Sequence, residues 1–226
     1  MNDKQRVAHY TAQQIRDGML VGLGTGSTAN YFIEALACRQ QEQGLRVSVV
    51  ASSVVSAIKA QALGLPVVGF DTIPSVDVYV DGADEVTPDL TLLKGRGFDL
   101  VREKLLAWSA GEFWVLIDAS KRVDHLGANY PIPVEVMPFA WQMVKRSLEL
   151  LGGQCNLRQT ANKDGLVVTS YGSLVLDTVF DAGISGQALN DKLGNMPGVV
   201  EHGIFYNLAS AAYYVADGQV VVQRRS

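Results

Sequence analysis

Cysteine is scarce in this chain: its 226 residues hold two, Cys38 and Cys155, far apart and outside any C-x-x-C spacing. That excludes a disulfide framework and a cysteine zinc or redox motif, and it fits a reducing, cytoplasmic setting. Histidine is equally sparse. His9, His125 and His202 each stand alone, without the spacing of metal ligands, and lone histidines are more often surface or satisfied core residues. The acidic run around residue 84 lacks the D-x-[DN]-x-[DN]-G spacing of a calcium loop, so no metal is expected. Positive charge is not in excess either: 19 Lys and Arg against 23 Asp and Glu give a net charge of -4. With a pI near 5.4, the footprint of a nucleic-acid partner is missing. No apolar run reaches membrane length, since the best candidate near Met19 is interrupted by glycines, which excludes a membrane partner. The start, MNDKQR, is not that of a signal peptide. Internal repeats, low-complexity tracts and long linkers are also absent from the sequence.

What is present is the composition of a folded protein: 48% hydrophobic and 19% charged residues, enough for one large domain or two unequal ones. The first half alternates apolar runs with helical patterns. A helix over 4–17 closed by Gly18 precedes a buried run at Met19–Leu23, and a second helix reaches about Cys38. Further strands are expected at Arg46–Ala51, Pro66–Phe70, Val76–Val80 and Phe113–Ile117, with helices through Lys59 and over 98–109. Strands alternating with helices predict a doubly wound, mostly parallel, Rossmann-like sheet with right-handed crossovers. The rhythm breaks at Tyr130-Pro131-Ile132-Pro133. Beyond it, strands at 134–136, 155–158, 166–169 and 174–179, with helices at 139–151 and 185–193, predict a small α+β, ferredoxin-like inserted domain. The expected division is therefore 1–129 plus 203–226 for the Rossmann-like domain and 130–202 for the insert.

Two stretches carry chemistry. In the first, Gly24-Thr25-Gly26-Ser27-Thr28 joins a strand to a helix start, where outward N–H groups and two hydroxyls offer a seat for a small anion. Gly22-Leu23-Gly24-Thr25-Gly26-Ser27 has serine at the sixth position of the dinucleotide fingerprint, and Ala51-Ser52-Ser53 supplies no acid for a ribose. No G-x-x-x-x-G-K-[ST] occurs. A monophosphate fits better than a nucleotide; a tight turn capped by Ser27 is the structural alternative. The second stretch, YVDGADEVTPDLTLLKGRGFDLVREKLLAW from Tyr79 to Trp108, brings Asp81, Asp84, Lys94 and Glu103 into one segment. Carboxylates, an ammonium beside glycines and a helical Glu are the parts of an acid-base site. An acidic surface turn followed by an ordinary charged helix reads equally well from the stretch alone.

The order of several blocks resembles ribose-5-phosphate isomerases of the A type: VGLGTGSTA at 21–29, YVDGADE at 79–85, LLKG at 92–95, REK at 102–104, IDASK at 117–121, PVEVMPFA at 133–140 and PGVVEHGIF at 197–205. The resemblance implies an aldose–ketose isomerase that interconverts ribose 5-phosphate and ribulose 5-phosphate in the pentose phosphate pathway. It implies no cofactor and a homodimer or homotetramer. Glu103 is then the base moving a proton between C2 and C1, with Asp81, Asp84 and Lys94 lining the reacting end of the sugar. Thr25, Gly26, Ser27, Thr28, Gly82, Ala83, Gly95, Arg96, Gly97 and Lys121 bind the substrate together with Asp81, Asp84 and Lys94, and Lys4 lies near the phosphate. Leu100, Leu106 and Ala107 surround Glu103 at helical spacing, which predicts a desolvated carboxylate of raised pKa. A related deaminase or lactonase would need a placed histidine, and a sugar-phosphate sensor would show a damaged base. The chain departs from the commonest family pattern at Arg96, Phe98 and Asp99 and at Gly172-Ser173. Arg96 and Asp99 are spaced either to neutralise one another or to point independently outward.

Overall fold

The computed structural model describes residues 1–180 and 185–225. Contacts divide the chain into two compact units, one of 1–83, 102–122 and 208–226, the other of 84–101 and 123–207. The expected insert, 130–202, falls inside the second, with its residues 181–184 outside the described ones.

In chain order, the first unit contains α1 (Asp3–Ala12), β1 (Leu20–Leu23), α2 (Ser27–Gln43), β2 (Ser48–Ala51), α3 (Val54–Ala62) and β3 (Val76–Asp81). The second contributes the short β4 (Glu85–Val86) and β5 (Leu92–Leu93) before the chain returns through α4 (Leu100–Ser109) to β6 (Ala110–Leu116). Next come β7 (Ile132–Val136), α5 (Trp141–Leu150), β8 (Gly153–Leu157), β9 (Leu174–Phe180), α6 (Gly186–Gly194), β10 (Val199–His202) and β11 (Ile204–Phe205), then β12 (Ala211–Ala216) and β13 (Gln219–Arg224).

The large sheet has the order β13-β12-β6-β3-β1-β2 and is parallel except for the final β12–β13 hairpin. Its core includes Val7, Leu23, Phe32, Ile33, Leu36, Val78 and Val80, so the apolar faces of α1 and α2 are buried with β1 and β3. β2 lies on one side of β1 and β3 on the other, which makes the gap between β1 and β3 the topological switch point. Open α/β sheets hold ligands outside the carboxyl ends of such strands. Here those ends are Gly24 and Asp81.

The second unit has a four-stranded antiparallel sheet of order β10-β7-β9-β8. Its chain order, β7-α5-β8-β9-α6-β10, is the β-α-β-β-α-β pattern of ferredoxin-like folds. Leu93, Val134, Leu148, Leu176, Leu193 and Ile204 meet in its core. A second, three-stranded sheet of order β11-β5-β4 turns the Leu90–Leu93 run into a hairpin partner. Two expected strands are reduced to bridges. Pro66–Phe70 keeps only Val49 opposite Val67 and ends in a 3₁₀ turn at Phe70–Thr72, because Pro66 has no N–H for a ladder. The 166–169 segment keeps the bridges Gln159–Leu166 and Val168–Leu174.

Glu85, fully buried, ties down a loop of this unit. Its Oε1 accepts from the Asn129 and Tyr130 amides at 2.6 and 3.1 Å, and its Oε2 from Gly127 at 2.7 Å. Glu85→Ala leaves three amides without their acceptor; since water reaches the loop at Asn129, the expected loss is about 1–3 kcal/mol. A lowered midpoint of urea unfolding checks it, and an unchanged midpoint would show that the carboxylate holds nothing.

Candidate functional site

At the switch point of the first unit, Asp81 is the last residue of β3 and is fully buried. Its Oδ1 accepts from the amides of Thr25 at 3.0 Å and Gly82 at 2.7 Å, while its Oδ2 accepts from the Tyr79 hydroxyl at 2.5 Å. A charge this buried survives only with such partners. Gly24 is required by the same contact: a Cβ there would sit 2.0 Å from Asp81 Oδ1. Gly22 does the same one step earlier, where a Cβ would lie 2.8 Å from the Tyr79 ring.

The Thr25 side chain turns inward on a cluster of hydroxyls. Its Oγ1 lies 2.6 Å from Ser53 Oγ, 3.1 Å from Ser52 Oγ and 3.2 Å from Ser56 Oγ, and Ser56 donates to the Gly24 carbonyl at 2.7 Å. Ser53 also caps α3 by accepting from the Ser56 amide. The loop is thus held from β2 and α3. Gly26 caps α2 at φ +117°, with no side-chain cap and no acid in the first turn. That leaves the positive end of the α2 dipole open to an outside anion. Ser27 is exposed and accepts from Lys4 Nζ at 3.1 Å, while Thr28 is buried at the start of the helix.

Glu103 is buried on α4. Tyr79 reports on it: burial, then the charges of Asp81 and Glu103, push the phenol well above its ordinary pKa. Tyr79 therefore stays a hydrogen-bond donor, stacked on Phe113 with ring centroids 4.8 Å apart. Lys121 closes a 3₁₀ turn after β6 that Asp118 caps. Gly82 and Ala83, both partly exposed, lead the chain out of this unit.

In the second unit Asp84 donates its amide to Leu93 at 2.8 Å. Glu85 pairs with Leu93, so one step further Asp84 stands opposite Lys94. Lys94 is buried, donates its amide to Gly203 at 2.8 Å, and holds its ammonium 5.6 Å above the Phe205 ring. Gly95 follows at φ +97°, and a Cβ there would crowd Leu100 and Pro133 at 3.0–3.2 Å. Exposed Gly97 completes the loop. Asp89 is spent on its own turn, where burial raises its pKa but hydrogen bonds from Thr87 and Thr91 lower it further.

The proposed charge pair of Arg96 and Asp99 does not form. Arg96 stacks its guanidinium 4.1 Å over the Tyr130 ring, and Asp99 accepts from Ser170 Oγ at 2.7 Å. Each side chain has found a nearer partner in the turn beside it. Sequence reasoning passed over Tyr79 and the serines of 52–56. Three hydroxyls directly after a strand beside the glycine loop were the available signal. Among the described residues, no group of three or more His, Cys, Asp or Glu could hold a metal ion, and no helix is long and apolar enough to cross a membrane.

The fold and this site define an α/β protein whose glycine loop, open helix end and buried carboxylates meet at a switch point. The model of the family ribose 5-phosphate isomerase A (phosphoriboisomerase A) matches residues 48–219. Ribose-5-phosphate isomerase A of Methanothermobacter thermautotrophicus is 47% identical over 209 residues, covering 92% of each chain. That of Prochlorococcus marinus is 43% identical over 208 residues, covering 91% of this chain and 90% of its own. Among solved structures, the Methanocaldococcus jannaschii ribose 5-phosphate isomerase A superposes with a TM-score of 0.92 at 37% identity, covering 98% of this chain and 97% of its own. A D-ribose-5-phosphate isomerase in complex with phospho-erythronic acid superposes with a TM-score of 0.93 at 36% identity, covering 100% of both chains. The chain belongs to the ribose 5-phosphate isomerase A family, a family of isomerases.

The phenol of Tyr79 yields a prediction with a definite sign. Below pH 10, Tyr79→Phe loses the bond to Asp81 and is less stable by about 1–3 kcal/mol. The folded pKa is raised above the ordinary 10.0, so the stability that Tyr79 contributes is complete below pH 10. It is lost as pH rises, because the unfolded phenol ionises first. The gap between wild type and Tyr79→Phe should shrink by roughly 1.4 kcal/mol per unit above pH 10. Urea midpoints at pH 8 and pH 11 measure it; an unchanged gap would refute the raised pKa.

Proposed function

We propose that this chain interconverts D-ribose 5-phosphate and D-ribulose 5-phosphate through an enediolate, with Glu103 as the general base. The observation that carries the reading is the burial of Glu103 on α4, where its charge acts on Tyr79, whose phenol donates to Asp81 at the switch point. In the forward direction Glu103 takes the proton from C2 of the open aldose and returns it to C1. The oxygen proton moves from O2 to O1, and no redox partner is needed. A carboxylate in this setting pays little reorganisation to act as a base. Lys94 supplies the cation for the developing oxyanion, and Asp84, opposite it on the small sheet, orients Lys94 or a substrate hydroxyl. Burial and three donors support a holding role for Asp81 over a proton-transfer role in ring opening.

The phosphate takes the open end of α2, with Gly26, Ser27, Thr28, Lys4 and Lys121 around it. The inward hydroxyl of Thr25 supports a structural part for that side chain, leaving the backbone of the loop to meet the ligand. The solved relative that carries phospho-erythronic acid, itself a phosphorylated sugar acid, supports this substrate class. The β-α-β-β-α-β order supports residues 130–202 as a small inserted domain. The same reading takes the working molecule as a cytoplasmic homodimer or homotetramer without a cofactor.

Two outcomes test it. Formation of ribulose 5-phosphate from ribose 5-phosphate should persist in EDTA, and Glu103→Gln should lower kcat by at least about a hundredfold with KM nearly unchanged, since general-base catalysis is worth on the order of 10²–10⁴. A mutant keeping more than about a tenth of wild-type kcat would sink the assignment of the base. Inorganic sulfate should compete with the substrate, and the competition should weaken when Ser27 and Thr28 are both changed to Ala. Sulfate that inhibits both proteins alike would take the helix end out of the site.

A further inference from the structure

The loop 95–99 is gripped from a part of the second unit that the proposed chemistry does not use. Arg158 follows the last residue of β8, and its backbone is fixed by bonds to Val175 and Val167. One edge of its guanidinium is spent on Asp177 of β9, Nε donating to Oδ2 at 2.9 Å and Nη2 to Oδ1 at 2.5 Å. The remaining nitrogen, Nη1, donates to the Gly95 carbonyl at 2.9 Å and reaches the Gly97 carbonyl at 3.4 Å. Both side chains of the pair are largely buried, 15% and 23% exposed. A planar fork held on one edge by a carboxylate aims its other nitrogen in a fixed direction; a lysine ammonium cannot do both tasks.

That direction matters because of what the loop carries. Lys94 is anchored on its amino side by the bond to Gly203, whose α-carbon has no room for a Cβ: it would lie 2.4 Å from the Lys94 carbonyl. On the carboxyl side the backbone runs into two glycines, which give no stiffness of their own. Arg158 grips the carbonyls of both, and further along Ser170 donates its amide to the Phe98 carbonyl at 3.2 Å.

We propose that Arg158, oriented by Asp177, is a positioning residue for Lys94, fixing the Gly95 and Gly97 carbonyls so that the ammonium meets the developing oxyanion in one place. The inference rests on the reading of Lys94 given above. Misplacement of a reacting group by about 1 Å can cost on the order of a hundredfold in rate, so the effect belongs in kcat.

The test is a cycle of Arg158→Ala and Lys94→Ala with ribose 5-phosphate as substrate. Arg158→Ala should lower kcat about 10–100-fold with KM within about threefold of wild type. Millimolar guanidinium should restore at least about fivefold of the loss, while ammonium and Arg158→Lys should not. In the Lys94→Ala background, Arg158→Ala should cost less than about twofold, since two residues that act as one are not additive. Near-wild-type kcat in Arg158→Ala, or an equal loss with and without Lys94, overturns the proposal. Should Arg158→Ala fail to fold, Asp177→Asn keeps the cation and the volume and is read in the same cycle. A wild-type protein without isomerase activity would defeat the proposed function instead. The positioning is then decided by hydrogen exchange at the Lys94 and Ser170 amides, which donate to the Gly203 and Phe98 carbonyls on either side of the glycines; they must quicken by at least about tenfold in Arg158→Ala, and their constancy would refute it.

Discussion

The approach of the Gly24 backbone to the buried Asp81 carboxylate is the constraint on which the first unit depends. With no Cβ at residue 24, β1 and β3 end close enough for one carboxylate to accept from the amides of both Thr25 and Gly82. The remaining oxygen takes the Tyr79 phenol, whose ring is in turn stacked on Phe113 of β6. Two adjacent parallel strands are thereby tied at their carboxyl ends through one charge, and the phenol ring stacks on the middle of a third. Because Asp81 holds Thr25 by its amide, the threonine hydroxyl is free to join Ser52, Ser53 and Ser56, which brings in β2 and the cap of α3. The open first turn of α2 stands on this frame. Its amides present a positive end because the loop before it is already satisfied elsewhere.

The second unit solves a similar problem with longer side chains. Two of its loops have their backbones held by charged groups that reach out from strands. Glu85 on β4 accepts from three amides of 127–130, and Arg158 beside β8 donates to two carbonyls of 95–97. In each case the charge is matched by several dipoles or by an opposite charge, the condition for keeping it away from water. Charge-assisted bonds of this kind fix a backbone more tightly than neutral ones. Glu135 shows the other outcome. Buried on β7 with a hydrogen bond from Thr169 at 2.7 Å, it has its pKa raised by burial.

Much of the architecture was legible because period and punctuation coincide with it. The apolar runs at 19–23, 46–51, 76–80 and 113–117 became strands of one parallel sheet, and the glycine loop opens α2 as expected, although the helix runs past Cys38 to Gln43, where Gly44 stops it. The failures have physical causes. Pro66–Phe70 is apolar enough for a strand but starts with a residue that cannot donate, so only one bridge survives. The run Leu90–Leu93 is short, and its partner Ile204–Phe205 lies more than a hundred residues on; no local pattern announces such a pairing. Side-chain direction was the least legible layer. Thr25 and Ser27 are both exposed hydroxyl residues of one loop, yet the hydroxyl of one bonds to buried serines and that of the other accepts from Lys4. Glu85 read as one more acid in DGADE until its three amides were in view.

The two stretches expected from the sequence to depart from the commonest family pattern are one place in space. Arg96, Phe98 and Asp99 sit in the loop after Lys94, and Gly172-Ser173 closes the turn that begins at Thr169. Ser170 joins them: its amide donates to the Phe98 carbonyl and its hydroxyl to the Asp99 carboxylate. Within the turn, Thr169 and Ser173 exchange backbone and side-chain bonds, and Gly172 supplies the φ of +83° that closes it. The turn must keep this shape for Ser170 to face the loop. Asp99 therefore answers to the turn, and Arg96, which stacks on Tyr130, answers to the loop that Glu85 holds. Neither needs the other as a counter-charge. The departures thus find their partners on the turn and on the Glu85 loop, while the backbone around Lys94 is bonded by Gly203 and Arg158.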